Sequence, residues 1–396
     1  MKRIQSGLYE KALLLAAFPS TVDRLRAQHQ AEELKNLAAT AGARVVDSCE
    51  QHLKSINPAT FIGKGKLEEV KEHIAAHDLD LILFSQDLTP VQQRNLEHEF
   101  KRRIVDRTEL ILDIFAQHAQ SKDGMIQVEL AQLRYLRPRL TGRGVMLSRL
   151  GGGIGTRGPG ETQLEVDRRR IDQRIARLRR EWEKIRDARR LQRKSRQRRN
   201  IATAVLVGYT NAGKSTLLNR LTDAAVVARD QLFSTLDTTT RRLFLHEHQS
   251  VLLSDTVGFI SDLPQPLLAA FRATLEVVEE ATVLIHVADA ASPFLEEQFH
   301  AVHDVLLTLE CSQKPILTVF NKVDRLAGDL VLREFERRVN PSVRCSALND
   351  ADLSPFKTAL AELLQQIPKN PPPPPPDEPW EQEEEEDTQF SSDVLY

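Results

Sequence analysis

The stretch ATAVLVGYTNAGKSTLLNRL, residues 202–221, decides the fold. It opens with a brief, continuously apolar run, as a buried strand does, and Thr216 to Leu221 carries helical spacing. Between them stands Gly208-Tyr209-Thr210-Asn211-Ala212-Gly213-Lys214-Ser215. Strand, glycine-bounded loop ending in Lys-Ser, then helix is the phosphate-binding loop pattern in its required context. Gly208 and Gly213 let the backbone curl so that successive N–H groups face phosphates, and the helix N-terminus adds its positive dipole end. Lys214 supplies a cation for the β- and γ-phosphates, Ser215 a hydroxyl for Mg²⁺, and Thr216 opens the helix beside them. An α/β domain built on a nucleotide triphosphate follows.

Which base it takes is read at Asn321-Lys322-Val323-Asp324, about 110 residues on and directly after the apolar strand PILTVF (315–320). Guanine shows two donors on one edge, and a carboxylate at Asp324 accepts both. Adenine would leave that carboxylate desolvated and unpaired. Charged hydrogen bonds contribute roughly 1.5–3 kcal/mol each, so a preference for guanine beyond about a hundredfold is expected. Lys322 lays its stem over the base, Asn321 braces the loop, and Ser346-Ala347 after SVRCS offers a backbone contact to the guanine oxygen.

Between these sites LLSDTVGF ends a strand at Asp255-Thr256-Val257-Gly258. Asp255 is placed to hold Mg²⁺ through water and Gly258 N–H to bind the γ-phosphate, a loop released when that phosphate leaves. Phe259 follows where Ras-like proteins carry the glutamine that orients water, so intrinsic hydrolysis is expected to be slow and raised by a partner. A further Mg²⁺ hydroxyl is expected from Phe233-Ser234-Thr235-Leu236-Asp237 and the threonines after it. Spacing does not choose among Thr235, Thr238, Thr239 and Thr240.

Upstream, KALLLAAF, RVVDSC, LDLILFS and RRIVD read as strands, and Arg24–Thr40, Lys64–His77 and Thr89–Phe100 as helices between them. Such alternation predicts a parallel sheet covered by helices over residues 1–124, with no catalytic constellation in it. Residues 125–199 predict a helical hairpin. Ile126, Leu130, Leu133 and Leu140 line one helix, and Ile171, Ile175, Leu178, Trp182 and Ile185 the other. The two are joined by the glycine-rich run 141–163, which carries Arg143, Arg149 and Arg157. A nucleotide domain at 200–369 and a proline-rich acidic tail at 370–396, expected to be disordered, complete the division.

A net charge of −2 conceals segregation: Asp167 to Asn200 holds 16 Lys or Arg against 5 Asp or Glu, and Asp377 to Asp387 holds 8 acids and no base. The basic helix, with Arg168, Arg169 and Arg170 at its start, points to a phosphate-rich partner. Three scattered cysteines, Cys49, Cys311 and Cys345, fit neither a disulfide framework nor a zinc site and suit a reducing compartment. No apolar run approaches the roughly 20 residues of a membrane span, and the N-terminus lacks a signal-peptide core. A cytoplasmic monomer is expected.

The runs NPATFIGKGKLEE (57–69), ILDIFAQHA (111–119), QVELAQLRYLRPRL (127–140), GGGIGTRGPGETQLE (151–165), FSTLDTTTRR and DTVGFI together resemble HflX-type GTPases of the Obg–HflX group over nearly all of residues 10–369. The resemblance implies that Thr235 is the Mg²⁺-ligating threonine and that Phe233–Asp237 borders the nucleotide. It also implies a hydrophobic residue where Phe259 stands. Thr238 occupies a place that is often proline in that family. Such GTPases bind the large ribosomal subunit and some split stalled ribosomes, so the glycine-rich tip is expected to enter ribosomal RNA near the peptidyl-transferase centre. Some members carry a further folded C-terminal domain, which the short remainder here is not expected to supply. Competing readings are an RNA-remodelling NTPase whose N-terminal domain has its own nucleotide, and a GTP sensor that recruits a protein without turnover.

Overall fold

The computed structural model describes residues 9–140, 163–197, 201–222, 232–233, 235–245, 249–261, 275–326, 328, 330–349 and 353–367. The N-terminal domain runs β1 (Glu10–Pro19), α1 (Arg24–Ala41), β2 (Ala43–Leu53), α2 (Lys64–Ala76), β3 (Leu81–Phe84), α3 (Pro90–Phe100), β4 (Arg103–Asp106) and α4 (Arg107–His118). Its four strands are all parallel in the order β2-β1-β3-β4.

The central strand shows why its sequence is apolar without a break. Side chains alternate across a strand, and here both faces are covered. Leu13, Leu15 and Ala17 pack with α2 and α3 through Leu67, Val70, Leu96 and Phe100. Ala12, Leu14, Ala16 and Phe18 face the other way, into a core shared with α1 and α4. That second core does not stop at the domain edge. It continues through Tyr209, Phe233, Leu236, Val257, Phe259 and Ile260 of the nucleotide domain.

Helix α4 is an element that strand and helix spacing did not single out. Eight of its residues are buried, so it lacks the polar face that marks an amphipathic helix. Its N-cap is Asp106, fully buried, whose carboxylate accepts from Glu109 N at 2.9 Å.

The hairpin consists of α5 (Lys122–Leu136), one 3-10 turn (Arg137–Arg139) and α6 (Gln163–Gln197). Leu140, Ile171 and Ile175 form the seam with Leu130 and Leu133. Arg174 adds a two-pronged pair to Glu129 at 2.6 and 2.8 Å. Arg139 fastens the hairpin base to the N-terminal domain: its guanidinium lies 3.6 Å over the Tyr135 ring and donates to Leu88 O at 2.6 Å. The glycine-rich connection with Arg143, Arg149 and Arg157 lies outside the described residues, as do Ser234 and the acidic tail.

The nucleotide domain carries a six-stranded sheet in the order β10-β9-β8-β5-β7-β6. Its strands are β5 (Thr203–Val207), β6 (Thr239–Phe244), β7 (Ser250–Asp255), β8 (Val283–Asp289), β9 (Ile316–Asn321) and β10 (Ser342–Arg344). Only the β6–β7 pair is antiparallel among the described strands. Around it stand α7 (Lys214–Thr222), α8 (Leu295–Thr308), α9 (Leu330–Glu336) and α10 (Leu353–Gln366). The fold class is therefore α/β, a parallel domain followed by a helical hairpin and a mixed-sheet nucleotide domain. No described helix is long and apolar enough to cross a membrane.

Candidate functional site

The site lies at the C-terminal ends of β5, β7 and β9, where parallel sheets present their loops to ligands. The loop after β5 needs its glycines. Gly208 has φ +154, and a Cβ there would come within 2.2 Å of Val287 O. Gly213 has φ +96, and its Cβ would meet Asn321 Nδ2 at 2.2 Å. Both positions therefore exclude side chains on conformation and on space.

Lys214 opens α7 fully buried, with Nζ donating to Gly208 O at 3.0 Å and Tyr209 O at 2.8 Å. Burial pulls its pKa down to about 8, against an opposing pull from Asp255. The next residue makes the metal-facing corner. Ser215 Oγ donates to Asp255 Oδ2 at 2.6 Å and lies 2.7 Å from Thr235 Oγ1. Burial raises the Asp255 pKa, while Lys214 and the two hydroxyls pull it back. Its other oxygen, Oδ1, is buried with no hydrogen-bond partner among the described residues. Two hydroxyls and the Asp255 carboxylate form a hard oxygen donor set, which fits Mg²⁺. Of the four candidate threonines, Thr235 is the one whose hydroxyl meets Ser215. Thr239 and Thr240 belong to β6, where Thr240 Oγ1 pairs with Ser254 Oγ at 2.8 Å.

The loop after β7 rests on the phosphate loop. Thr210 N donates to Phe259 O at 2.7 Å and Phe259 N to Gly208 O at 3.1 Å. A Cβ on Gly258 would approach Thr210 Cα to 2.5 Å, so only glycine allows that contact. Thr256 Oγ1 donates to Leu206 O at 2.7 Å, and Val257 is buried in the shared core. The Phe259 ring is buried there too. It offers no group to orient a water molecule.

At the base-reading end, Asn321 ties three segments together. Its Nδ2 donates to Ala212 O at 2.8 Å, and its Oδ1 accepts from Ala347 N at 3.0 Å. Lys322 sits in the left-handed region at φ 64 and reaches Asn211 O and Asp289 Oδ2, each at 2.7 Å. Asp289 is a member of this corner that motif reading missed, at the end of β8 with no neighbouring motif to mark it. Asp324, beside Val323 in a 3-10 turn, accepts from Ser346 Oγ at 2.6 Å through Oδ1.

Two expected nucleotide residues turn their side chains elsewhere. The Tyr209 ring points into the N-terminal domain, where its hydroxyl bonds Glu33. The Asp237 carboxylate goes to Ser121 and Gln120 at the start of α5. Phe233, at φ 56, keeps its N–H on Thr210 Oγ1 at 3.0 Å while its ring meets Phe115 edge-on at 4.7 Å. Thr216 lies in α7, and Leu236 is buried in the shared core. Arg168, Arg169 and Arg170 are exposed on α6.

All three cysteines are buried and free. Cys49, Glu69 and His73 bring ligand atoms within 4.8 Å of one another. The Lys66 ammonium, 2.6 Å from Glu69 Oε1, already supplies positive charge to that group.

A glycine-bounded phosphate loop, a base-reading Asn-Lys-Val-Asp turn and two loops meeting at Ser215 define a P-loop GTPase. Family models match three stretches of the chain. "GTP-binding GTPase N-terminal" matches residues 28–116, "GTP-binding GTPase Middle Region" 118–196, and "50S ribosome-binding GTPase" 203–322. The GTPase HflX of Caldanaerobacter subterraneus is 51% identical over 317 residues, covering 80% of this chain and 73% of that protein. Its counterpart in Lacrimispora saccharolytica is 46% identical over 356 residues, 90% and 83% of the two chains. That of Escherichia coli is 45% identical over 309 residues, 78% and 71%. The chain belongs to the HflX family of GTPases and is a GTP hydrolase. Among solved structures, SsGBP in complex with GDP matches with TM-score 0.51 and 27% identity, over 90% of this chain and 99% of that one.

Proposed function

We propose that this GTPase is a Mg²⁺-dependent nucleotide switch acting on the large ribosomal subunit in the cytoplasm, as a monomer, in splitting or recycling ribosomes under stress. The observation that carries the switch is the meeting of Ser215, Thr235 and Asp255. Three segments of the nucleotide domain converge on one oxygen cluster, so the metal and the γ-phosphate decide whether they stay together. Ser215 and Thr235 would hold the ion directly and Asp255 through water. Bound there, Mg²⁺ neutralises charge developing on the β- and γ-phosphates. Lys214 adds a second cation, and the backbone N–H groups from Asn211 to Ser215 enclose the phosphates. With Phe259 in place of a water-orienting group, intrinsic turnover is slow and a partner accelerates it.

The ribosomal target is supported by the family description "50S ribosome-binding GTPase" and by the arginine-rich helix. Arg168, Arg169 and Arg170 lie exposed on α6, suited to RNA phosphates. The glycine-rich run with Arg143, Arg149 and Arg157 is assigned to ribosomal RNA near the peptidyl-transferase centre. Sedimentation with purified subunits tests this. Binding to the large subunit is expected with a non-hydrolysable GTP analogue, weaker with GDP, and lost on deleting residues 142–159 while GTP affinity is kept. Equal binding in both nucleotide states would remove the switch, and binding that survives the deletion would remove the assignment of the tip.

A further inference from the structure

The segment bearing Thr235 is held at both ends by elements outside the nucleotide domain. On its N-terminal side, the Phe233 ring packs edge-on against Phe115 of α4. On its C-terminal side, Asp237 Oδ2 accepts from Gln120 N at 2.8 Å and Ser121 N at 2.7 Å. Its Oδ1 accepts from the Ser121 hydroxyl, and that hydroxyl in turn accepts from Gly124 N at 2.9 Å as the N-cap of α5. A carboxylate from one domain thus sits over the N-terminus of the hairpin's first helix, where the helix dipole favours negative charge.

The hairpin is shaped to admit it. Gly124 lies in the first turn of α5, where no positive φ calls for glycine. A Cβ there would come within 2.7 Å of Asp237 Oδ1 and 3.1 Å of Ser121 Oγ. The missing side chain makes room for the carboxylate. One residue, Leu236, separates Thr235 from Asp237, so a docked Asp237 confines the Thr235 Cα to within about 7 Å of its own Cα.

We propose that Asp237 is a positioning residue. By docking on Gln120, Ser121 and the space left by Gly124, it holds the Thr235 hydroxyl against Ser215 and Asp255, and it ties the nucleotide state to the base of the hairpin. Docking and triphosphate binding then favour each other, and the coupling is reciprocal. A GTP analogue should protect the amides of Gln120 and Ser121, which lie outside the nucleotide domain, and loss of the dock should weaken triphosphate over diphosphate. This rests on reading Thr235 as the metal-facing threonine.

The test uses the full chain and measures two quantities, the ratio of affinities for a non-hydrolysable GTP analogue and GDP, and amide exchange at Gln120 and Ser121. Gly124→Ala touches no nucleotide contact. It is expected to lower the analogue-to-GDP ratio about tenfold, with Asp237→Ala doing the same, and to abolish analogue-dependent protection of the two amides in both variants. Ser121→Ala, which removes only a hydroxyl, should give a smaller loss in the same direction. An unchanged ratio in a folded Gly124→Ala protein overturns the proposal. So does wild-type protein in which the analogue leaves both amides as they were with GDP, an outcome independent of any variant's folding. Thr235→Ala separates the two readings: if it leaves the ratio unchanged, the metal-facing assignment fails. If it lowers the ratio while Gly124→Ala does not, only the docking role fails.

Discussion

The hydroxyl of Tyr209, one residue into the phosphate loop, donates to the carboxylate of Glu33 on α1. Glu33 also accepts from Arg107 of α4 at 2.7 Å, and Arg107 reaches Ser261 O at 2.5 Å while Ser261 N donates back to Tyr209 at 2.9 Å. The four residues close a ring across the two domains, with Glu33 6% and Arg107 9% exposed. Burial and the neighbouring Glu33 push the Tyr209 pKa well above its ordinary value, so the phenol remains a donor.

Removal of single members should therefore have unequal effects. Tyr209→Phe leaves the Glu33–Arg107 pair intact and is expected to cost about 1–3 kcal/mol through unpaired polar groups. Glu33→Ala removes the carboxylate from a buried ion pair and is expected to cost roughly 3–5 kcal/mol. Denaturant melts of the full chain check the order, and a milder Glu33→Ala would mean the ring is not closed in solution.

Base specificity should invert at one position. Asp324→Asn replaces one acceptor oxygen by an N–H donor. Guanine then meets a donor with a donor, whereas xanthine presents a carbonyl oxygen there. GTP affinity is expected to fall at least about a hundredfold while xanthosine triphosphate binding rises. Competition binding with the two triphosphates measures it.

Glycine substitutions should divide by what stands over them. Gly258→Ala meets the Thr210 backbone at 2.5 Å and must lift the loop off the phosphate site, so GTP-analogue affinity should drop tenfold or more. Gly63→Ala, with nothing within 4 Å, should bind nucleotide as wild type does. Equal behaviour of the two variants would argue against the close approach.

Nucleotide binding should take up a proton in mild alkali. Burial lowers Lys214 to about 8 in the nucleotide-free protein, whereas phosphates favour the ammonium. Above pH 8 the amine must be reprotonated on binding, so affinity should fall by up to about tenfold per pH unit. Folding follows the opposite sign. The unfolded chain binds more protons between about pH 8 and 10.5, so the nucleotide-free protein gains stability as pH rises through that window. Calorimetry at pH 8.5 in two buffers of different ionisation enthalpy reads the proton uptake directly.

The sequence by itself determined the elements and the chemistry of the nucleotide site. Apolar runs located β1, β3, β4 and β5 to within about two residues, because strands buried on both faces leave little place for polar residues. Strand β2 runs four residues past RVVDSC, because this edge strand alternates buried and exposed positions. The phosphate loop and Asn321–Asp324 were legible because a few backbone conformations and one donor pattern dictate residue type locally. Helix α4 was not, since eight of its residues are buried, Arg107, Thr108 and Glu109 among them, which blurs the apolar period. The tertiary structure decided everything that depends on distance in space rather than along the chain. It brought the Thr235 hydroxyl to Ser215, and it turned the side chains of Tyr209 and Asp237 towards Glu33 and Ser121. Asp289 joined Lys322, and Gly124 acquired a reason to be glycine. Each of these is a contact between separate segments, and such pairings are fixed by how the strands and loops of the nucleotide domain pack on one another and on the N-terminal domain, which no local spacing encodes.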